Sequence, residues 1–219
     1  MFMVRDLMEK QYQGKLEVAE YQMRALQNQI KPHFLYNTLD VIKWMIMENK
    51  EEDSVWMVNA LSKYLRQSIN KGPAVIPLSE ELELSRYYLM IMQRRFENRF
   101  AFSFEVEDEA GRCYLPRFSL QPLLENALLH GILYDEKPEK YVRIRAWREE
   151  QMLYIEIEDN GKGMQKDALK KAAQGGYGLE NVKKRLMIFG DGKTEFNISS
   201  RVGVGTCITI LLPIKEEGT

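Results

Sequence analysis

The sequence lacks the residues that would mark a secreted, membrane-spanning or nucleic-acid-binding protein. Two cysteines in 219 residues, Cys113 and Cys207, are too few for a disulfide framework or a structural zinc site and fit a reducing compartment. No apolar run approaches the roughly 18 to 20 residues that span a bilayer, and the start has no signal-peptide layout. The formal net charge is −1, so no global positive field points to nucleic acid. We therefore expect a cytoplasmic globular chain. Its polar helical opening suits a continuation from an upstream segment, and only such a segment would attach it to a membrane.

Histidine is equally scarce, and one of the two histidines, His33, lies in the stretch QIKPHFLYN at residues 29–37. Apolar or small residues spaced three and four apart flank this stretch, as on one face of a helix. They are Leu16, Ala19, Met23, Leu26 and Ile30 before it, and Leu35, Leu39, Ile42 and Ile46 after it. The step from Ile30 to Leu35 is five and contains Pro32, which predicts a kink in the helix.

The same spacing indicates that His33 faces solvent, because it lies opposite the later apolar face and at the border of the earlier one. Asn37 is four residues further on, so its amide shares this face and can orient the imidazole. By themselves these nine residues favour an ordinary surface histidine over a reactive one. The decision therefore depends on the rest of the chain.

A helical hairpin is predicted for the first part of the chain. Residues 5–49 form one long helix, and residues 53–70 form a second helix that Asp53 or Ser54 can cap. The second helix has one apolar face, which consists of Val55, Val58, Leu61, Leu65 and Ile69. Because two helices bury little on their own, we expect homodimerisation as a four-helix bundle. The alternative is packing of the hairpin onto the chain's own second domain.

The break Lys71, Gly72, Pro73 separates a hairpin domain at 1–72 from a second domain at 73–219. A short extended stretch is predicted in this second domain at 75–78, and strands are predicted at 100–106, 141–147, 152–158, 195–200 and 206–213. Helices are predicted at 79–98, 116–130, 167–174 and 178–189, with Gly131 ending the second of them. Strands and helices in this mixed order predict an α+β sandwich with an antiparallel sheet.

Two polar stretches of the second domain can carry chemistry. In LLENALLHG, Asn126 and His130 are neighbours on one helix face beside Glu125, and an amide oxygen can complete the shell of a Mg²⁺ ion held by phosphates and water. In DNGKGM, Asp159 follows a strand, and Gly161 and Gly163 permit a tight turn, so the carboxylate can accept from an amine such as that of adenine. Each stretch also has a plain structural interpretation, as a polar helix end and as a hairpin turn.

Two glycine-rich stretches follow. GGYGL at 175–179 opens a helix, whose free N–H groups suit phosphates. GVGT at 203–206 lies between two strands. A capping loop and a turn account for the same glycines without a ligand, so neither stretch is specific alone.

The four stretches in this order resemble the GHKL (Bergerat) ATP-binding fold of histidine kinases, Hsp90, MutL and type II topoisomerases, as its N, G1, G2 and G3 boxes. Together with QIKPHFLYN, the chain resembles the LytS/YesM type of sensor histidine kinase over roughly residues 20 to 214. The resemblance implies a dimer that uses ATP and Mg²⁺ and passes a phosphoryl group from His33 to an aspartate of a response regulator.

The resemblance also implies roles for individual residues. Asn126 would bind Mg²⁺, Asp159 with Thr206 would bind the adenine, and Gly176 and Gly178 would face the phosphates. The whole nucleotide-binding set comprises Asn126, His130, Asp159, Gly161, Gly163, Gly176, Gly178, Leu179, Gly205 and Thr206. Phe34 stands where many histidine kinases place an acidic residue, so the base is unassigned, and Glu125 and Asn37 are the candidates for that supporting role. The short stretch 165–175 implies a small lid.

Two other functions are compatible with parts of this pattern. An ATP-gated dimeric scaffold would bind nucleotide without phosphorylating His33. An ATPase like Hsp90 or MutL would release free phosphate, but it gives no reason for the PHFLYN hairpin.

Overall fold

The computed structural model describes residues 32–69, 72–133, 137–165, 167–169 and 179–215. The chain divides into two compact units, Met1–Lys71 and Gly72–Thr219. This division lies one residue from the boundary predicted from Gly72 and Pro73. The functional roles assigned to the two parts stay predictions.

The first unit contains a helical hairpin, α1 (Pro32–Met47) and α2 (Glu51–Ile69), joined by residues 48–50. Asn49 adopts a left-handed conformation with φ 59°, which lets the chain reverse in three residues. Phe34 packs against Tyr64 with ring centroids 5.1 Å apart, and Ile42, Met57 and Leu61 are buried beside them. The part of the predicted long helix that precedes Pro32, and with it the kink, lies outside the described residues.

The hairpin buries a different face of α2 from the predicted one. Of the predicted face, Leu61 is buried, whereas Val55, Val58 and Ile69 are 61%, 46% and 56% exposed. The buried face contains two serines whose hydroxyls donate to carbonyls four residues earlier, so these polar groups are satisfied; this face consists of Ser54, Met57, Ala60, Leu61, Tyr64 and Ser68. α1 does not cover the predicted face, because α2 carries two apolar stripes and α1 covers only one of them.

The predicted cap of α2 was also wrong. The helix begins at Glu51, two residues before Asp53, and the backbone N–H of Ser54 already bonds the carbonyl of Lys50. Ser54 is therefore inside the first turn.

The second unit is a five-stranded sheet covered by helices. Its elements are β1 (Val75–Pro77), α3 (Leu78–Arg95), β2 (Ala101–Val106), α4 (Asp108–Gly111), β3 (Tyr114–Pro116), α5 (Gln121–Asn126) with a π-helical continuation (Ala127–Ile132), β4 (Tyr141–Glu149), β5 (Met152–Asp159), α6 (Leu179–Phe189), β6 (Glu195–Arg201) and β7 (Gly205–Pro213). The sheet order is β2-β4-β5-β7-β6, with β2 parallel to β4 and the other pairs antiparallel. The short strands β1 and β3 pair with each other.

One face of the sheet forms the core of this unit. Burial alternates along β4 and β5, as expected for a sheet with one covered face. The buried strand residues are Val142, Ile144, Ala146, Leu153, Ile155, Ile157, Ile208, Ile210 and Leu212. The opposite face carries ion pairs such as Arg145–Glu156 at 2.7 Å. The predicted α+β sandwich is confirmed, with β2 as the one parallel addition to the antiparallel sheet.

The largest correction concerns the helix predicted at 116–130. Residues 114–116 form a strand instead, and Phe118 has φ 60°, so the helix begins only at Gln121. It then continues past Gly131 as a π-helix to Ile132, so Gly131 does not end it. The short helix predicted at 167–174 is described only at 167–169, where the chain is helical.

Candidate functional site

Asp159, the last residue of β5, is the centre of the candidate nucleotide site. It pairs with Val142 of β4 on one side and Thr206 of β7 on the other, and it is only 5% exposed. Its Oδ1 accepts a hydrogen bond from the backbone N–H of Gly161 at 2.9 Å. A buried carboxylate at a strand end is thus held in one orientation by the turn that follows it.

Burial raises the pKa of the Asp159 carboxyl from 3.8 to about 6. The backbone N–H groups of Gly161 and Thr206 and the positive charge of Lys137 lower this pKa, and Glu158 raises it further. The carboxylate form is therefore dominant at pH 7, where it can accept a hydrogen bond from a ligand's amine.

Three glycines allow the chain to pack closely around Asp159. A Cβ on Gly131 would lie 2.7 Å from Asp159 Oδ1, and a Cβ on Gly161 would overlap the carbonyl of Gly131. Gly205 has φ 141°, and a Cβ there would overlap the carbonyl of Asp159. The backbone segments at these glycines therefore pack closely around Asp159 with no room for a side chain, and we call this arrangement the cradle.

Backbone hydrogen bonds connect the three segments that surround this cradle. The N–H of Lys162 donates to the carbonyl of Gly131 at 3.1 Å, and the N–H of Gly203 donates to the carbonyl of Lys162 at 2.8 Å. Gly163, with φ 66°, passes against the carbonyl of Arg201 with no room for a Cβ. The N, G1 and G3 stretches are therefore parts of one site.

Ser200 supports this site from β6 and was not predicted from the sequence. Its hydroxyl accepts from the N–H of Met164 at 2.8 Å, donates to the carbonyl of Gly205 at 2.9 Å and lies 2.9 Å from the hydroxyl of Thr206. Thr206 thus contacts Asp159 through its backbone N–H and Ser200 through its side chain. A lone serine in a strand carries no sequence signal for such a role.

Helix α5 and its π-helical continuation carry three other predicted residues. Asn126 ends the regular part of α5 and is partly buried, and His130 is exposed. Glu125 is 9% exposed and accepts from the amide of Gln121 at 3.2 Å. π-helical turns occur often at functional sites. This one carries Gly131 against Asp159.

These residues fit a Mg²⁺ ion bound together with phosphates. Among the described residues no cluster of three or more His, Cys, Asp or Glu could hold a metal ion. Mg²⁺ keeps several waters and is commonly held by one or two protein oxygens and the substrate's phosphates. Asn126, the last residue of α5, carries such an oxygen. Gly176 and Gly178 lie outside the described residues, and Leu179 is the partly buried first residue of α6.

In the first unit, His33 lies in the first turn of α1 as described, with its side chain exposed. The Asn37 side-chain nitrogen is 2.9 Å from both Nδ1 and Nε2 of the imidazole, so the amide faces the ring edge between them. The predicted contact between these side chains is present. Since amide oxygen and nitrogen are assigned from their surroundings, the same contact allows the amide oxygen to accept from the ring N–H.

Comparisons with known proteins match both units. The family model described as "Histidine kinase" matches residues 21–100, and that described as "Histidine kinase-, DNA gyrase B-, and HSP90-like ATPase" matches residues 117–216. Sensor histidine kinase YesM of Bacillus subtilis is 35% identical over 98% of this chain and 37% of its own length. Sensor protein LytS of Bacillus anthracis is 32% identical over 96% of this chain and 37% of its own length.

This chain belongs to the histidine kinase family. Its relatives named above place it with the LytS and YesM sensor proteins, and the chain spans about 37% of the length of each. The histidine kinase domain from the blue-light activated kinase EL346 of Erythrobacter litoralis has the same fold, with a TM-score of 0.52, 20% identity, and coverage of 89% of this chain and 94% of that one. None of the helices in the described part of the chain is long and apolar enough to cross a membrane.

The second unit holds one more buried polar arrangement that the sequence did not reveal. Glu81 of α3 is fully buried, and its two carboxyl oxygens accept from the N–H groups of Phe118 and Leu120, each at 2.9 Å. Arg185 of α6 donates to the carbonyl of Phe118 at 2.6 Å. Burial raises the pKa of Glu81, and burial lowers the pKa of Arg185. Together they fix the loop that leads into α5, which carries Glu125 and Asn126.

Proposed function

We propose that this chain is the kinase core of a two-component sensor, which phosphorylates itself on His33 from Mg-ATP and passes the phosphoryl group to an aspartate of a response regulator. The observation that carries the proposal is the pairing, in one chain, of a buried carboxylate in a glycine cradle with an exposed histidine held by an amide. The family supplies the precedent for joining these two features in one reaction.

Nucleotide binding would centre on Asp159. Its carboxylate would accept from the exocyclic amine of adenine, while Thr206 and the glycines at 161, 163 and 205 shape the surrounding pocket. Asn126 would hold Mg²⁺, with His130, Leu179 and the glycines at 176 and 178 near the phosphates. The metal ion would offset the negative charge of the transferring phosphoryl group.

His33 would act as the nucleophile. Its unprotonated ring nitrogen would form a bond to the γ-phosphorus as the bond from that phosphorus to the bridging oxygen of ADP breaks. The ring would then carry positive charge, which the Asn37 amide oxygen can stabilise by accepting from the ring N–H. Glu125 is the other candidate for a supporting proton acceptor. The phosphoryl group would leave His33 for the regulator's aspartate, which restores the free imidazole.

The hairpin would dimerise through the face that α1 and α2 leave uncovered. Five of its large apolar side chains are between 46% and 61% exposed, namely Leu39, Ile46, Val55, Val58 and Ile69. Burying this face against a second copy would make a four-helix bundle. The kinase core would act in the cytoplasm, with membrane attachment through an upstream segment of a longer sensor and with no nucleic acid as partner.

Labelling with γ-labelled ATP tests the proposal. Wild-type protein should gain label that is stable in alkali and lost in acid, as expected of a phosphorylated histidine. The label should vanish in His33→Gln and persist in His130→Ala, which removes the other histidine. Wild-type protein that binds ATP but takes no label would contradict the proposal and favour an ATP-gated dimeric scaffold. Release of free phosphate without label would favour an ATPase.

A further inference from the structure

Lys137, in the connection between the π-helical stretch and β4, binds the backbone on both sides of the cradle. Its Nζ donates to the carbonyls of Asn160 at 2.5 Å, Gly161 at 3.0 Å and, at the long end of the range, Val204 at 3.4 Å. The first two carbonyls directly follow Asp159, and the third belongs to the turn between β6 and β7. One ammonium group thus contacts two segments that are more than forty residues apart in sequence.

The peptide planes show what these bonds do. In a trans peptide the C=O and the N–H point in opposite directions. In the peptide group between Asn160 and Gly161, the C=O accepts from Lys137 and the N–H donates to Asp159 Oδ1 at 2.9 Å. In the next peptide group, between Gly161 and Lys162, the C=O accepts from Lys137 and the N–H donates to the carbonyl of Gly131 at 3.1 Å.

Lys137 therefore holds two consecutive peptide groups so that their N–H groups face the cradle. A cation on the carbonyl also polarises the peptide, which strengthens the hydrogen bond that its N–H donates. The Asn160 side chain fixes the same turn from another side, since it accepts from the N–H of Tyr141 at 2.8 Å and donates to the carbonyl of Glu139 at 2.8 Å. Of these two supports, only Lys137 brings a charge.

We propose that Lys137 is a positioning residue for the adenine end of the nucleotide site. It orients the two peptide groups after Asp159 and fixes the turn at Val204. This inference rests on the proposed nucleotide binding at Asp159. Nothing in the residue types around Lys137, in the stretch YDEKPEK, predicts the role.

The charge of Lys137 gives the proposal a readout that a purely structural residue would not move. The charged or titratable side chains acting on Asp159 are Lys137, which lowers its pKa, and Glu158, which raises it; Tyr141 also interacts with it. Removing the Lys137 charge should raise the pKa of Asp159 above its value of about 6. Loss of nucleotide binding on acidification should then begin at a higher pH.

The test compares Lys137→Met with wild type and Lys137→Arg. ATP binding is measured by calorimetry between pH 5 and 8, and the rate of autophosphorylation is measured against ATP concentration. Lys137→Met should weaken ATP binding about tenfold at pH 7.5, as for loss of hydrogen bonds to a charged group. Its half-saturating ATP concentration should rise with little change in the maximal rate, and its pH midpoint for binding should move upward.

Two controls make the result decisive. Lys137→Arg keeps the charge and should keep the wild-type pH midpoint, although a planar guanidinium cannot place one donor atom among all three carbonyls. Lys193→Met removes an exposed lysine before β6 and should match wild type. If circular dichroism shows that Lys137→Met does not fold, Lys137→Gln takes its place.

The outcomes separate the inference from the function on which it rests. Failure of the wild-type protein to bind ATP would contradict the proposed function itself. Wild-type binding together with unchanged affinity and pH midpoint in the neutral variant would overturn the role of Lys137 alone. A loss of affinity with no movement of the midpoint would overturn the assigned effect of its charge on Asp159.

Discussion

The two units of the chain differ in how their candidate functional residues are buried and held. Asp159 is 5% exposed and held by backbone N–H groups of Gly161 and Thr206, in a unit whose sheet has a continuous buried face. His33 is exposed and contacts the side chain of Asn37, in a hairpin that leaves a row of apolar residues uncovered. The proposed nucleotide site is thus held by fixed backbone groups, whereas the histidine proposed for phosphoryl transfer is exposed.

We attribute this difference to the molecules that each residue would bind in the proposed reaction. A nucleotide pocket gains affinity from groups fixed before binding, because no ordering cost is added when the ligand arrives. A histidine that receives a phosphoryl group from one molecule and gives it to another must be reachable by both. Changes in the second unit should therefore alter ATP binding, and changes in the hairpin should alter transfer and assembly.

Asp159→Asn should have the largest effect, a loss of ATP affinity of about 100-fold. The buried amide cannot replace the carboxylate as acceptor for the adenine amine and for two backbone N–H groups together, a loss of about 3 kcal/mol. Calorimetric titration with ATP measures it, and Asp167→Asn, an exposed carboxylate on the same connection, is the matched control. ATP affinity within threefold of wild type would remove Asp159 from the site.

Asp159→Asn should also change how stability depends on pH. The pKa of Asp159 is raised on folding, from 3.8 to about 6, so the native state binds more protons between these values and its ionisation opposes folding. Asp159 should therefore lower the free energy of unfolding by up to about 3 kcal/mol as pH rises from 4 to 7. Chemical denaturation across this range should show that component in wild type and not in Asp159→Asn. Parallel curves for the two proteins would contradict the assignment.

Val58→Glu should have the next largest effect, a weakening of the dimer. Val58 is 46% exposed on α2, and a charge there would have to be buried in the proposed four-helix bundle. The dimer dissociation constant should rise by roughly tenfold or more, measured by analytical ultracentrifugation, while ATP affinity stays unchanged. Asn59→Glu, at the neighbouring exposed position of the same helix, is the control. A monomeric wild type, or equal dimers in all three proteins, would contradict dimerisation through this face.

Acidification should weaken ATP binding through protonation of Asp159, which lies in the second unit. Because binding needs the Asp159 carboxylate, affinity should be flat above about pH 7 and should fall below about pH 6, approaching tenfold per pH unit. Calorimetry from pH 5 to 8 measures this, with ATP in excess Mg²⁺. Affinity that rises or stays level on acidification would mean that an ionised Asp159 is not required.

Asn37→Ala should have the smallest effect, about tenfold on the rate of labelling with ATP affinity unchanged, because one hydrogen bond to the imidazole is lost. Asn37→Asp separates two arrangements of this contact. If the side-chain oxygen accepts from the ring N–H, the aspartate should retain or increase the rate. If the amide nitrogen is the required donor, the aspartate should be as slow as the alanine. A wild-type labelling rate in Asn37→Ala would contradict a supporting role of Asn37 in the reaction of His33.

The sequence predicted those parts of the site that are local in the chain. Asp159 follows a strand and precedes Gly161 and Gly163, so its place at a strand end and the tight turn could both be inferred. The contact between His33 and Asn37 follows from helical spacing. Lys137 and Ser200 could not be inferred, because their partners lie 23 to 67 and 5 to 36 residues away and only the folded sheet brings them together.

The errors in the fold have equally specific causes. Gly131 looked like a helix stop, but its missing side chain makes room for Asp159, and the helix continues through it as a π-turn. The strand at 114–116 is only three residues long and depends on pairing with β1. Helix α2 carries two apolar stripes, one with Val55 and Val58 and one with Met57 and Tyr64. The sequence did not show that α1 covers the second of them.

Locating the phosphoryl group tests the central claim most directly. Wild-type protein is incubated with Mg-ATP, digested at alkaline pH to preserve a phosphorylated histidine, and the modified residue is located by mass spectrometry. The account predicts modification of His33 within QIKPHFLYN, and none at His130. Modification of another residue, or unmodified protein that nevertheless binds ATP, would contradict it.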